Sequence, residues 1–132
     1  MKKVVIALAI VLLAGVIAVL VITNRPARKV DDVTGIPVNA RVLFQEFSTD
    51  ETKANQTYLN KAVQVNGTIS VADTNQEGVP FVVLQTDDMM SGVMCTMREK
   101  KFPGKTGDSV VLKGFCSGFV GDVKLTDCII SQ

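Results

Sequence analysis

The spacing of apolar and polar positions divides the chain into three regimes. Residues 4–23, VVIALAIVLLAGVIAVLVIT, run for twenty positions without a charge. As a helix rising ~1.5 Å per residue this run is ~30 Å long, the thickness of a bilayer's hydrocarbon core. Residues 39–60, NARVLFQEFSTDETKANQTYLN, have helical spacing in two pieces. Val42, Leu43, Phe44 and Phe47 share one face of the first, and Ala54, Tyr58 and Leu59 give the second a narrow stripe. Ser48 followed by Glu51 fits a capping box and predicts that the second helix starts at Thr49. From residue 61 the period falls to two. KAVQVNGTISVADT puts Val63, Val65, Gly67, Ile69 and Val71 on one face of a half-buried strand, with Gly67 marking a bend or bulge. A turn at TNQEG leads to the strand VPFVVLQT; DDMMSG breaks it, and GVMCTMRE resumes with Val93, Cys95 and Met97 together. The loop EKKFPGKTGD then precedes two strands, SVVLKGFC and DVKLTDCII, around SGFVG. A mainly β fold follows: five short strands preceded by short helices predict a small, strongly curved sheet closed as a barrel.

The boundaries expected are a membrane anchor over 1–23 with its helix at 4–23, a linker over 24–38, and one globular domain over 39–132. The linker, NRPARKVDDVTGIPV, is polar with two prolines and a glycine. A secretory signal competes with the anchor, since Lys2 and Lys3 precede the apolar run. The run exceeds the ~7–15 residues of a signal core, and no small-x-small site follows it before NRPARK. No Cys precedes position 95, so no lipid-modified cysteine ends the segment. Orientation is finely balanced, with Lys2 and Lys3 on one side and Arg25, Arg28 and Lys29 on the other.

Charge separates the two parts further. The whole chain carries 14 Lys and Arg against 13 Asp and Glu. Five of the cations lie in residues 1–29, leaving nine against all 13 acids and a net charge of −4 over residues 30–132. That balance weighs against nucleic acid, whose binders need a basic groove and stacking aromatics. The residues that could form a binding surface are Phe81, Lys100, Lys101, Phe102, Lys105, Phe115 and Phe119. The plain alternative is that the aromatics are core and the lysines a solvated loop. The chain has no His and no CxxC, which removes the usual base for a Ser or Cys nucleophile and one redox motif. Asp31-Asp32 and Asp87-Asp88 fall in linker and turn, where adjacent acids are ordinarily solvated. No catalytic residue, metal ligand or cofactor is therefore assigned.

Three cysteines remain. Cys116 and Cys128 flank a turn expected near Gly121 and Asp122, and a hairpin symmetric about 122 would set them opposite each other. A disulfide there is expected, and with it an oxidising compartment. Buried reduced thiols are the alternative, and the alternation itself is discordant. Cys116 shares a face with Val110 and Leu112, whereas Cys128 shares one with Lys124 and Thr126, so a bulge would have to reconcile them. Cys95, on the face of Val93 and Met97, reads as core, with competition for either partner as the alternative.

Ala54 to Tyr58, then Asn60-Lys61-Ala62-Val63-Gln64-Val65-Asn66-Gly67-Thr68-Ile69, resembles the pattern A…Y.gk.v.v.G.v of a known family. Val93-Met94-Cys95, Gly107-Asp108, Lys113-Gly114-Phe115-Cys116-Ser117-Gly118 and Leu125-Thr126-Asp127-Cys128 continue it. The chain thus resembles the tRNA-anti-like family of OB-fold bacterial envelope proteins, many catalogued as lipoproteins, over residues 39 to 131. The resemblance implies a five-stranded OB barrel with a preceding helix, and carries over no catalytic residue. The function expected is a single-pass module on the extracytoplasmic side of the bacterial cytoplasmic membrane, binding a protein, glycan or small ligand of the envelope. The alternative is an OB-fold protein for single-stranded nucleic acid.

Overall fold

The computed structural model describes residues 1–23 and 29–131. Helix α1 (Lys2–Thr23) is exposed along its whole length, and is long and apolar enough to cross a membrane. A 3₁₀ turn (Val30–Asp32) leads into β1 (Ile36–Asn39) and two short helices, α2 (Ala40–Thr49) and α3 (Glu51–Tyr58). Five strands follow: β2 (Ala62–Thr74), β3 (Pro80–Leu84), β4 (Val93–Met97), β5 (Ser109–Val120) and β6 (Asp122–Ile130).

The strands run in the order β1-β2-β3-β4-β6-β5, and a further β2–β5 pairing closes the last five into a barrel. β4 and β6 pair in parallel while the other barrel neighbours are antiparallel. This is the OB-fold arrangement that the strand pattern and the resemblance lead one to expect. β2 is long enough to serve both seams, pairing through Thr68 with β5 and from Ile69 with β3. A register shift after Ile69 turns the strand between them, and leaves Val71 on the outer face rather than inside.

Inward side chains fill the barrel as the alternation predicts. Val63, Val65 and Ile69 of β2, Val82 and Leu84 of β3, and Val93, Cys95 and Met97 of β4 are all buried. Leu112 and Cys116 of β5 and Val123, Leu125 and Cys128 of β6 complete the lining. Helices α2 and α3 cover one end through Leu43, Phe47, Ala54 and Tyr58. Gly67 lets them approach, because a Cβ there would stand 3.0 Å from that of Ala40. Asn39 both ends β1 and caps α2, its side chain accepting from the Arg41 amide at 2.9 Å. The cap of α3 is Asp50, which accepts from the Lys53 amide at 3.1 Å. The capping box expected from Ser48 does not form, for the Ser48 hydroxyl donates back to the Gln45 carbonyl.

Two parts of the chain depart from expectation. Residues 24–28 of the expected linker lie outside the described residues, but the rest of it is built into the domain. Val30 is fully buried, and β1 adds in parallel to β2 with Ile36 opposite Val63 and Asn39 opposite Asn66.

The second departure is the disulfide. All three cysteines are free and buried, and no Cys116–Cys128 bridge exists. The hairpin is centred on Gly121 (φ 74°), with Val120 opposite Asp122. Register shifts at Ser117 on one strand and near Asp127 on the other then set Cys116 opposite Leu125. Cys128 falls beside Gly114, where any Cβ would overlap its Sγ. Asp127 adopts φ 55°, and this bulge resolves the discordant alternation by turning Cys128 inward with Leu125. Contact with the Cys128 thiol and burial push the Cys95 thiol well above its usual range, and burial pushes up Cys116. Both therefore pack as small neutral side chains.

Candidate binding surface

The outer face of β2, β3 and β4 carries two cross-strand rows. Val71, Val83, Met94 and Lys124 are successive neighbours in one, and Asp73, Phe81 and Thr96 in the next. Val71 is 44% exposed, so the first row presents apolar surface to solvent. At the end nearer the 74–80 turn, the segment after β4 folds over this face and encloses a cleft of 340 Å³. Asp73, Pro80 and Phe81 of the sheet line it together with Lys100, Lys101, Phe102 and Gly104 of the loop. Phe102 also packs against the barrel core and so secures the loop. Gly104 is required where it is, since a Cβ would run into the Phe102 ring.

Four of the seven residues singled out in the sequence, Phe81, Lys100, Lys101 and Phe102, thus meet in one cleft. The other three lie elsewhere. Lys105 is exposed in the same loop but does not line the cleft; its amide donates to Asp108 at 2.9 Å. Phe115 is half-buried on β5 between Ala62 and Thr126. Phe119 is taken up by packing under the helices, stacked on Phe47 with centroids 5.9 Å apart and edge-on to Phe44 at 5.8 Å.

The tRNA_anti-like family model matches residues 1–129. The chain belongs to the tRNA_anti-like family. The match takes in α1 as well as the barrel, and no curated protein is similar to the chain. In this tRNA_anti-like barrel the strongest polar constellation is one the sequence did not reveal. Arg98, just past β4, donates from Nε and one terminal nitrogen to both carboxylate oxygens of Asp127, each at 2.7 Å. Its other terminal nitrogen donates to Asp31, also at 2.7 Å. The guanidinium holds Asp127 below the usual carboxylate range, and the two carboxylates raise Arg98 in turn. Lys113 adds a bond from Nζ to the Val33 carbonyl at 3.2 Å. The 30–33 segment is therefore fastened to β4, β5 and β6.

Asp87 and Asp88, also named from the sequence, have structural partners. Asp87 pairs with Arg41 at 3.7 Å, and Asp88 accepts the Met90 and Ser91 amides at 2.7 and 3.0 Å. Among the described residues no group of three Cys, Asp or Glu is placed to hold a metal ion. A larger groove of 540 Å³ lies between α2 and α3, and two of its acids serve the helices: Glu46 accepts from the Tyr58 hydroxyl, and Asp50 caps α3. The smaller cleft brings together two aromatics and two lysines that form no ion pair among the described residues.

Proposed function

We propose that this protein is a membrane-tethered, non-enzymatic binding module of the bacterial envelope. It engages its ligand in the cleft between the 74–80 turn and the 98–104 loop. The observation that carries the reading is the convergence of Phe81, Phe102, Lys100 and Lys101 around 340 Å³ on the outer face of an OB barrel. OB folds take up oligonucleotides and oligosaccharides on their second and third strands and on the loops after the first and fourth, and the cleft shares β3 and the 74–80 turn with that surface. The tether is α1, and the barrel is assigned to the extracytoplasmic side on the likeness to envelope proteins. With no disulfide, the cysteines do not bear on that assignment. A protein, glycan or small ligand of the envelope fits the cleft better than single-stranded nucleic acid. Asp73 lines it, and residues 30–132 carry a net charge of −4.

The test is a photo-reactive phenylalanine analogue placed at 81 or 102 in the full chain, illuminated in native membranes, with Gln56 on α3 as the control position. The reading expects one envelope adduct from 81 and 102, absent from 56 and lost in a Lys100→Glu/Lys101→Glu variant. The same adducts from all three positions would overturn it. Single-stranded oligonucleotide binding at physiological salt, abolished by the same double substitution, would transfer the cleft to nucleic acid.

A further inference from the structure

The tether and the cationic loop leave the barrel at one place. Asp31 is held to Arg98 at 2.7 Å and Val30 is fully buried, so the chain is fixed to the barrel from residue 30 onward. Between Thr23, the last residue of α1, and Lys29 there are six Cα–Cα steps, which span at most about 20 Å. Arg98 opens the loop that carries Lys100, Lys101 and Lys105, all exposed. Arg98 spends its own charge on Asp31 and Asp127, and among the described residues none of the three lysines forms an ion pair. Lys29 is exposed as well, whereas the loop itself contributes only Glu99 and Asp108 in opposition, the latter engaged with the Lys105 amide.

A cationic loop kept this close to the point where a helix leaves a bilayer is complementary to anionic headgroups. Such attraction acts within about a Debye length, ~10 Å at 0.1 M salt. We infer that the 98–105 loop rests on the anionic phospholipid surface, with Lys100 and Lys101 as its contacts. The inference depends on the membrane-tether reading above. It deepens that reading by fixing the barrel's orientation: the binding cleft opens at the headgroup level, and a ligand reaches it along the membrane surface.

The experiment uses the full chain in nanodiscs of phosphatidylcholine alone, or with about one third phosphatidylglycerol. A water-soluble amine-acylating reagent is applied, and labelling of each lysine is read by mass spectrometry. Lys53, exposed on α3, is the internal reference. Labelling of Lys100 and Lys101 relative to Lys53 is expected to fall at least threefold in the anionic discs, and to recover in 0.5 M salt. Equal ratios in the two kinds of disc would overturn lipid docking while leaving the tether intact. A chain recovered outside the disc fraction would overturn the tether and the docking together.

Discussion

Cys128 packs beside Gly114 rather than opposite Cys116, and its position follows from two bulges in one hairpin. The absence of a bridge predicts that denaturing alkylation finds three free thiols with or without prior reduction; a reducible bond mapped to Cys116 and Cys128 would contradict this register. Gly114 itself is testable. A Cβ there overlaps Cys128 Sγ and stands 2.9 Å from the Thr126 carbonyl oxygen, so Gly114→Ala should cost about 1–3 kcal/mol as overpacking does. The cost should shrink in a Cys128→Ala background, a coupling that a double-mutant cycle of denaturant midpoints would measure. Tyr58 gives a second residue-level outcome. Burial and the hydrogen bond to Glu46 push its hydroxyl up to about 12. Because the folded pKa is raised above the unfolded value of ~10, the associated stability is complete below that value. It is lost as pH rises through the folded pKa. Unfolding free energy should therefore decline between pH 10 and 12, and Tyr58→Phe should lack that part of the decline.

Among the elements, the strands were legible because each barrel position faces either core or solvent, and the period of two records which. Val63, Val65, Val82, Leu84, Val93 and Cys95 all fall inside as their spacing requires. The aromatic and cationic half of the cleft was legible as residue types, but not as a site, since its walls come from segments some twenty residues apart joined only by the β3–β4 pairing. What failed were features without periodicity. β1 is four residues with a proline, too short to show alternation, and it forms only because β2 supplies its partner. The Arg98 clamp joins positions 31, 98 and 127, and nothing local in the chain announces it. Its behaviour with pH follows from Asp127. A carboxylate held below its usual range contributes stability that is present above the unfolded pKa and is lost as pH falls through the lower, folded one. The pair is partly exposed, so solvent screening keeps the contribution to about 1 kcal/mol. Arg98→Met should flatten that acid limb. It should also speed hydrogen exchange at the Asp32 and Val33 amides, which close the 3₁₀ turn onto Lys29 and Val30. Unchanged exchange there would mean that Val30 alone holds the segment.

At the scale of the whole molecule, the point at issue is where the barrel domain begins. The hydrophobic pattern placed that boundary at Asn39, yet the packing places it near Lys29. Val30 is fully buried, Ile36 and Val38 pack against the core, and Asp31 is bound to Arg98, all within the expected linker. Helix α1, by contrast, has no buried residue and gives the barrel no packing. A chain beginning at Lys29 should therefore unfold at the same temperature as the detergent-solubilised full chain. One beginning at Asn39 loses a valine whose full burial is worth about 1.5–3 kcal/mol, together with β1's pairing along β2. For a domain of this size each kcal/mol moves the midpoint by about 4–8 °C, so the shorter chain should melt at least ~10 °C lower. Calorimetry on the two truncations decides it. Coincident midpoints would return residues 29–38 to the role of a linker and remove the fixed attachment on which the barrel's orientation at the membrane depends. A separation of the expected size would show that the domain starts near residue 29, six residues after the last residue of α1.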